Sequence, residues 1–137
     1  MAHVLISEDE QTLAFFIKQI LLELHPDIQV DWAPSGTSAL RLLEKTSYDL
    51  LITDLRIPGL NGLALIENGR RLYPNLPVIL MTGFASPNVE KQVAAMGINA
   101  YLAKPFTVES LANCINQLLA MKTPARLQVA SYISRYK

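Results

Sequence analysis

Five short apolar runs, each followed by a stretch in which apolar residues recur at helical spacing, constrain this chain more than any other feature. The runs are Val4-Leu5-Ile6, Ile28 to Trp32, Leu50-Leu51-Ile52-Thr53, Val78-Ile79-Leu80-Met81 and Ile98 to Ala103. Near-continuous apolar runs of this length suit strands covered on both faces, while Ile28-Gln29-Val30-Asp31-Trp32 alternates apolar and polar as a strand also can. Strands that take turns with helices imply βαβ units, and therefore a parallel sheet with helices on both sides.

The intervening stretches carry their own start and stop signals. Leu13, Phe16, Ile17, Ile20, Leu21 and Leu24 predict a first helix from Gln11 with that stripe inward and Lys18, Gln19 and Glu23 outward, closed by Pro26. Ser35 before Gly36 predicts the cap of a second helix that turns Ala39, Leu40, Leu42 and Leu43 inward. Asn61 is placed to cap a third, with Leu63, Leu65, Ile66 and Leu72 as inner residues and Pro74 and Pro77 around the return loop. Ser86-Pro87 reads as N-cap plus first helical position, where proline's missing N–H costs nothing; Val89, Val93 and Met96 follow on one side, and Gly97 suits the C-terminal end. Thr107 caps the last clear helix, with Leu111, Cys114, Ile115, Leu118 and Leu119 inward.

With 137 residues, half of them hydrophobic, the chain is long enough for one domain with a proper core. Twelve basic and twelve acidic residues cancel, which gives no electrostatic case for nucleic acid or an anionic membrane. The single cysteine, Cys114, has no partner for an internal disulfide, so a small buried thiol in a reducing, cytoplasmic compartment is expected. After Val4-Leu5-Ile6 and Ser7 come the acids Glu8, Asp9 and Glu10, which is neither a signal-peptide profile nor a bilayer-spanning run.

The strand ends carry the chemistry. Leu50-Leu51-Ile52-Thr53 runs straight into Asp54, and Pro58-Gly59 then stops regular structure. Right-handed crossovers bring the C-terminal ends of parallel strands to one edge, where ligands bind in open α/β sheets. Glu8 and Asp9, Asp54, Thr82 and Lys104 should therefore converge there. Each has an ordinary explanation as a turn former, a helix-start acid or a solvated lysine. Jointly they describe a site, because three crowded carboxylates repel one another unless a cation joins them, and an all-oxygen acidic set suits Mg²⁺ or Mn²⁺. A lysine and a hydroxyl opposite that cation would bind the oxygens of a phosphoryl group on Asp54.

The stretches VLISEDE, LLITDLRIPGLNG, VILMTGFAS and YLAKPF together resemble the receiver domain of two-component response regulators, over roughly Val4 to Met121. The resemblance implies a flavodoxin-like (βα)5 doubly wound parallel sheet of order 2-1-3-4-5 within residues 1–121. It implies that Asp54 accepts phosphate from a histidine kinase or histidine phosphotransfer protein. It further implies Asp9 and Asp54 as direct metal ligands, the Arg56 backbone carbonyl as another, and Glu8, where the family usually has aspartate, as an outer-shell acid. Thr82 and Lys104 would contact the phosphoryl group, Tyr101 would be the switch aromatic, and the Lys104-Pro105 bond would be cis. Arg56 and Phe84, two residues beyond Asp54 and Thr82, occupy positions that tune access of water to the acyl phosphate, against ordinary readings as a solvated loop residue and a loop anchor.

The function so implied is a phosphorylation-switched signalling module that remodels its α4-β5-α5 surface for a downstream target or output domain, promoting only its own phosphotransfer and dephosphorylation. Phosphorylation-independent adaptor is the alternative; the intact acid, hydroxyl and lysine set speaks against it. Aspartyl-nucleophile phosphatases carry a second acid where this chain has Arg56. Homodimerisation is a further option; nucleic acid and membrane are not expected partners of this domain. Val129, Tyr132, Ile133 and Tyr136 fall at one helical face beyond Pro124, with Arg126, Arg135 and Lys137 elsewhere, so residues 122–137 read as a linker or tail with one short amphipathic helix.

Overall fold

The computed structural model describes residues 2–120. Strands β1 (His3–Ser7), β2 (Gln29–Ala33), β3 (Leu50–Asp54), β4 (Val78–Thr82) and β5 (Ala100–Ala103) alternate with helices α1 (Gln11–Leu24), α2 (Gly36–Lys45), α3 (Gly62–Leu72), α4 (Pro87–Ala95) and α5 (Val108–Ala120). All neighbouring strands pair in parallel in the order β2-β1-β3-β4-β5, the flavodoxin-like arrangement expected. The expected domain limit at 121 and the tail over 122–137 lie outside the described residues.

β3 and β4 are buried along their whole length: the apolar runs Leu50-Leu51-Ile52 and Val78-Ile79-Leu80-Met81 are covered on both faces, and the polar ends Thr53, Asp54 and Thr82 are buried with them. Their side chains alternate between two core layers. Ile6, Ile52, Ile79 and Met81 face a layer completed by Ile17 and Leu21 of α1 and Leu111 and Ile115 of α5. Leu5, Leu51 and Leu80 face a layer completed by Leu43 of α2 and Leu65 and Ile66 of α3. The caps form as read: the Ser35 hydroxyl accepts from the Ser38 amide in a reciprocal box, Asn61 Oδ1 accepts from Ala64, Ser86 Oγ from Val89, and Thr107 Oγ1 from Ser110.

Two inner-face assignments are corrected. Phe16 is 41 % exposed and Leu72 45 % exposed, while Ala14 and Gly69 take the buried positions of their helices. A Cβ on Gly69 would already lie 3.3 Å from Leu43 and Leu76, so α3 seats on a small residue and its large end residue is left outside. Strand limits also shift: β2 runs one residue later than its alternation suggests, and β5 starts at Ala100 instead of Ile98. Cys114 is half-buried against the first layer, and burial raises its thiol pKa.

α4 differs from the other helices in having no buried residue; Val89, Val93 and Met96 touch the second layer while half-buried. Its C-terminal end is tied down from α3. The Arg70 guanidinium donates to the carbonyls of Met96 at 2.5 Å and Gly97 at 3.2 Å and to Asn99 Oδ1 at 3.0 Å, an oxygen that also accepts from the Val78 amide. A cation at the last carbonyls of a helix complements its dipole, and Gly97 ends α4 with φ of 60°.

Candidate functional site

Asp54 closes the central strand and is 7 % exposed. Its environment is set from three sides. Oδ1 accepts the Arg56 amide at 3.2 Å, and Oδ2 accepts Lys104 Nζ at 2.5 Å. From below, Thr53 Oγ1 donates to the Asp54 carbonyl. Gly62 lets α3 begin directly against this strand end. A Cβ there would stand 2.3 Å from the Asp54 carbonyl oxygen, and the Gly62 amide donates to Leu55 at 2.8 Å. The loop after β3 is braced from α2 as well, through the Gly36 amide on the Pro58 carbonyl.

Glu8 lies at the end of β1, 1 % exposed, and its Oε1 accepts the same Lys104 Nζ at 3.2 Å while Oε2 accepts the Glu10 amide. Both main-chain groups of Glu8 are tied to β2: its amide donates to the Ala33 carbonyl at 3.1 Å and its carbonyl accepts Trp32 Nε1 at 2.7 Å. Asp9, exposed, completes a set of three carboxylates whose oxygens lie within 4.8 Å of one another.

The charges are not evenly matched. Burial pushes the Glu8 carboxyl up to about 7, against the pull of the Glu10 amide and of Lys104, with neighbouring Asp54 adding to the rise. Burial works to lower the Lys104 ammonium, but the Asp54 and Glu8 carboxylates outweigh it and hold it above its usual value. One ammonium between two buried acids, with a third acid at the rim, leaves the cluster short of positive charge. Hard oxygen donors that outnumber the cations available are what Mg²⁺ or Mn²⁺ binds, so the residues fit such an ion. Asp9 and Arg56 also share the lining of a cleft of about 520 Å³ with Leu55, Ile57, Pro58 and Asn61.

The remaining residues singled out from the sequence are near but separately engaged. Thr82 ends β4, fully buried, and its Oγ1 accepts the Phe84 amide at 2.9 Å. Lys104 follows β5 through its own amide on the Thr82 carbonyl, and the Lys104-Pro105 bond is cis as expected. Tyr101, level with Leu80 on β4, packs against the second layer with its hydroxyl buried and without a hydrogen-bond partner among the described residues. Burial, and then the Glu90 charge, raises that phenol's pKa. Arg56 and Phe84, read separately from the sequence, meet: the guanidinium carbon lies 3.9 Å from the ring centre. That contact joins two loops far apart in the chain, and no local spacing announces it.

The profile of the response regulator receiver domain family matches residues 4–116. The chain belongs to this family. Among curated proteins, this receiver domain is 31 % identical over 117 residues to the chemotaxis protein CheY-3 of Vibrio cholerae, covering 84 % of this chain and 89 % of that protein. It is 36 % identical over 117 residues to the response regulator protein FleR of Pseudomonas aeruginosa, covering 83 % of this chain but 24 % of FleR. Among solved structures, the receiver domain of the Francisella response regulator 1452 superposes with a TM-score of 0.79 at 29 % identity, covering 90 % of this chain and all of the other. A CheY-like receiver domain from Methanospirillum hungatei gives 0.81 at 26 % identity, covering 88 % and 95 %. Phosphorylation on an aspartate is the function of the family, and this chain is a signalling domain of that kind. No helix among the described residues is long and apolar enough to cross a membrane.

Proposed function

We propose that Asp54 is the phosphoacceptor of this receiver domain, taking a phosphoryl group from a phosphohistidine of a histidine kinase or histidine phosphotransfer protein. The reading is carried by one observation: the carboxylate at the end of the central strand is 7 % exposed, with Lys104 Nζ at 2.5 Å and two further carboxylates beside it. In the transfer, an Asp54 oxygen bonds to phosphorus as the phosphorus–nitrogen bond to the donor imidazole breaks and the electron pair leaves with the ring. Asp9, Asp54 and the Arg56 carbonyl, with Glu8 in the outer shell, would hold Mg²⁺ or Mn²⁺, whose charge would offset that of the phosphoryl oxygens. Lys104 accompanies the incoming group, exchanging its bond to the Asp54 carboxylate for one to a phosphoryl oxygen. The same residues serve hydrolysis of the acyl phosphate, and no other substrate is turned over.

The consequence of phosphorylation lies on the other face of the strand ends. The Thr82 hydroxyl, now on the Phe84 amide, turns to the phosphoryl group, and the vacated space admits movement of the Tyr101 ring, whose hydroxyl gains nothing where it is. A downstream target or output domain reads the resulting change across α4, β5 and α5. Incubation with acetyl phosphate, with and without Mg²⁺, followed by weighing of the intact protein, tests the assignment. Wild type should gain one phosphoryl mass only with the cation and Asp54→Asn none; equal labelling of both refutes it.

A further inference from the structure

Trp32 has no obvious reason to be tryptophan. It stands on β2, an edge strand, and is 40 % exposed, so it fills no core. Register places it beside Ile6, whose side chain belongs to the α1 and α5 side of the sheet. Asp54 is level with Met81 of that same layer, and Glu8 follows Ile6 by two residues, so the three share one side of the sheet's C-terminal edge. The indole spends its one donor on the Glu8 carbonyl at 2.7 Å, while the Ala33 carbonyl takes the Glu8 amide at 3.1 Å. The two bonds grip the main chain of Glu8 on both sides. That main chain leads straight into Asp9, and the direction of the Glu8–Asp9 peptide decides where both carboxylates point.

We propose that Trp32 is a positioning residue of the cation site, its indole N–H fixing the Glu8–Asp9 peptide so that both carboxylates are aimed toward Asp54 before any ion arrives. The physical reason is that three acids within 4.8 Å repel one another. Left to itself, the exposed Asp9 segment would relax outward, and each ion bound would have to draw it back. A neutral donor on the Glu8 carbonyl opposes that relaxation without adding charge to the site. Outer-shell donors of this kind tune metal affinity without touching the ion.

The inference rests on the cation site proposed above, and the test separates the two. Mn²⁺ binding is measured from the paramagnetic resonance signal of the free ion. Wild type is compared with Trp32→Phe and with a chain in which the indole of Trp32, the one tryptophan in the sequence, is exchanged for benzothiophene, sulfur replacing N–H. The second keeps the shape of the ring, so a folding defect in the first does not decide the matter. Both should bind Mn²⁺ about tenfold more weakly than wild type, the lower end of what loss of an outer-shell partner costs. Wild-type affinity in the benzothiophene chain overturns the role given to the N–H, whatever happens to its unfolding midpoint. Absence of Mn²⁺ binding by wild type overturns the cation site itself.

Discussion

Replacing Glu8 by glutamine should make the metal-free domain more stable, and only above a certain pH. The folded protein holds the Glu8 carboxyl at about 7, against 4.5 for the free side chain, so the fold binds that proton more tightly than the open chain does. The stability from this group is therefore full below pH 4.5 and is lost as pH rises through 7. Converted at about 1.4 kcal/mol per pH unit, the loss is about 3 kcal/mol. Glu8 is 1 % exposed, so solvent screening takes little from that figure, and the pull of Lys104 is already contained in it. Glutamine keeps an oxygen for the Glu10 amide but never ionises. Urea unfolding in the presence of a chelator should give similar midpoints for wild type and Glu8→Gln near pH 4. Near pH 8.5 the variant should lead by about 2 M, for a denaturant slope of about 1.5 kcal/mol per molar. Saturating Mg²⁺ should close the gap, because an ion at the cation site proposed above would stabilise wild type by mass action and the variant less. A difference that stays flat between these pH values would refute the reasoning, since it would mean that Glu8 ionises as easily in the fold as out of it.

Other expectations follow from the same edge of the sheet. Phe84→Ala and Arg56→Ala should each shorten the lifetime of phosphorylated protein, a tenfold change needing only about 1.4 kcal/mol of barrier. Because the guanidinium rests on the ring, the double variant should decay little faster than either single one, and decay no faster than wild type in any of them would dismiss shielding. Gly62→Ala should cost about 2 kcal/mol or more of unfolding free energy, its Cβ falling 2.3 Å from the Asp54 carbonyl oxygen, and an unchanged midpoint would mean that α3 can back away freely. Beryllofluoride, which imitates the phosphoryl group, should alter hydrogen exchange between Ser86 and Thr107; unchanged protection there would count against a switch through Thr82 and Tyr101.

The elements were legible because their signals are local. Ser35, Asn61, Ser86 and Thr107 announce helix starts through hydroxyl and amide chemistry that operates within four residues, and β3 and β4 read as buried because their polar residues come only at the C-terminal end. The errors came where packing chose a small residue. Counting large apolar side chains put Phe16 and Leu72 inside, whereas the buried positions of those helices include Ala14 and Gly69, which carry little or no hydrophobic signal. At the site, the convergence of Glu8, Asp9, Asp54 and Lys104 followed from strand ends and crossover handedness. The pairing of Arg56 with Phe84, and the reach of Trp32 to Glu8, depend on side-chain directions across loops and registers that no spacing encodes.

The manner in which α4 is attached gives the domain an uneven mechanical response. Four helices are anchored by side chains withdrawn from water, so displacing any of them exposes apolar surface at roughly 25 cal/mol for every Å². α4 has no fully buried anchor along its length: Val89, Val93 and Met96 are half-buried against the second layer, and the Arg70 guanidinium ties down its C-terminal end. Shifting its near end, just beyond Thr82 and Phe84, forfeits half-covered contacts and no core. Arg70 meanwhile keeps the far end registered against β4 and β5. A disturbance of a few kcal/mol at the strand ends would be enough to turn such a helix and too little to unfold it, so the phosphorylation proposed at Asp54 should reach the surface as an angular displacement of α4 with the core left in place.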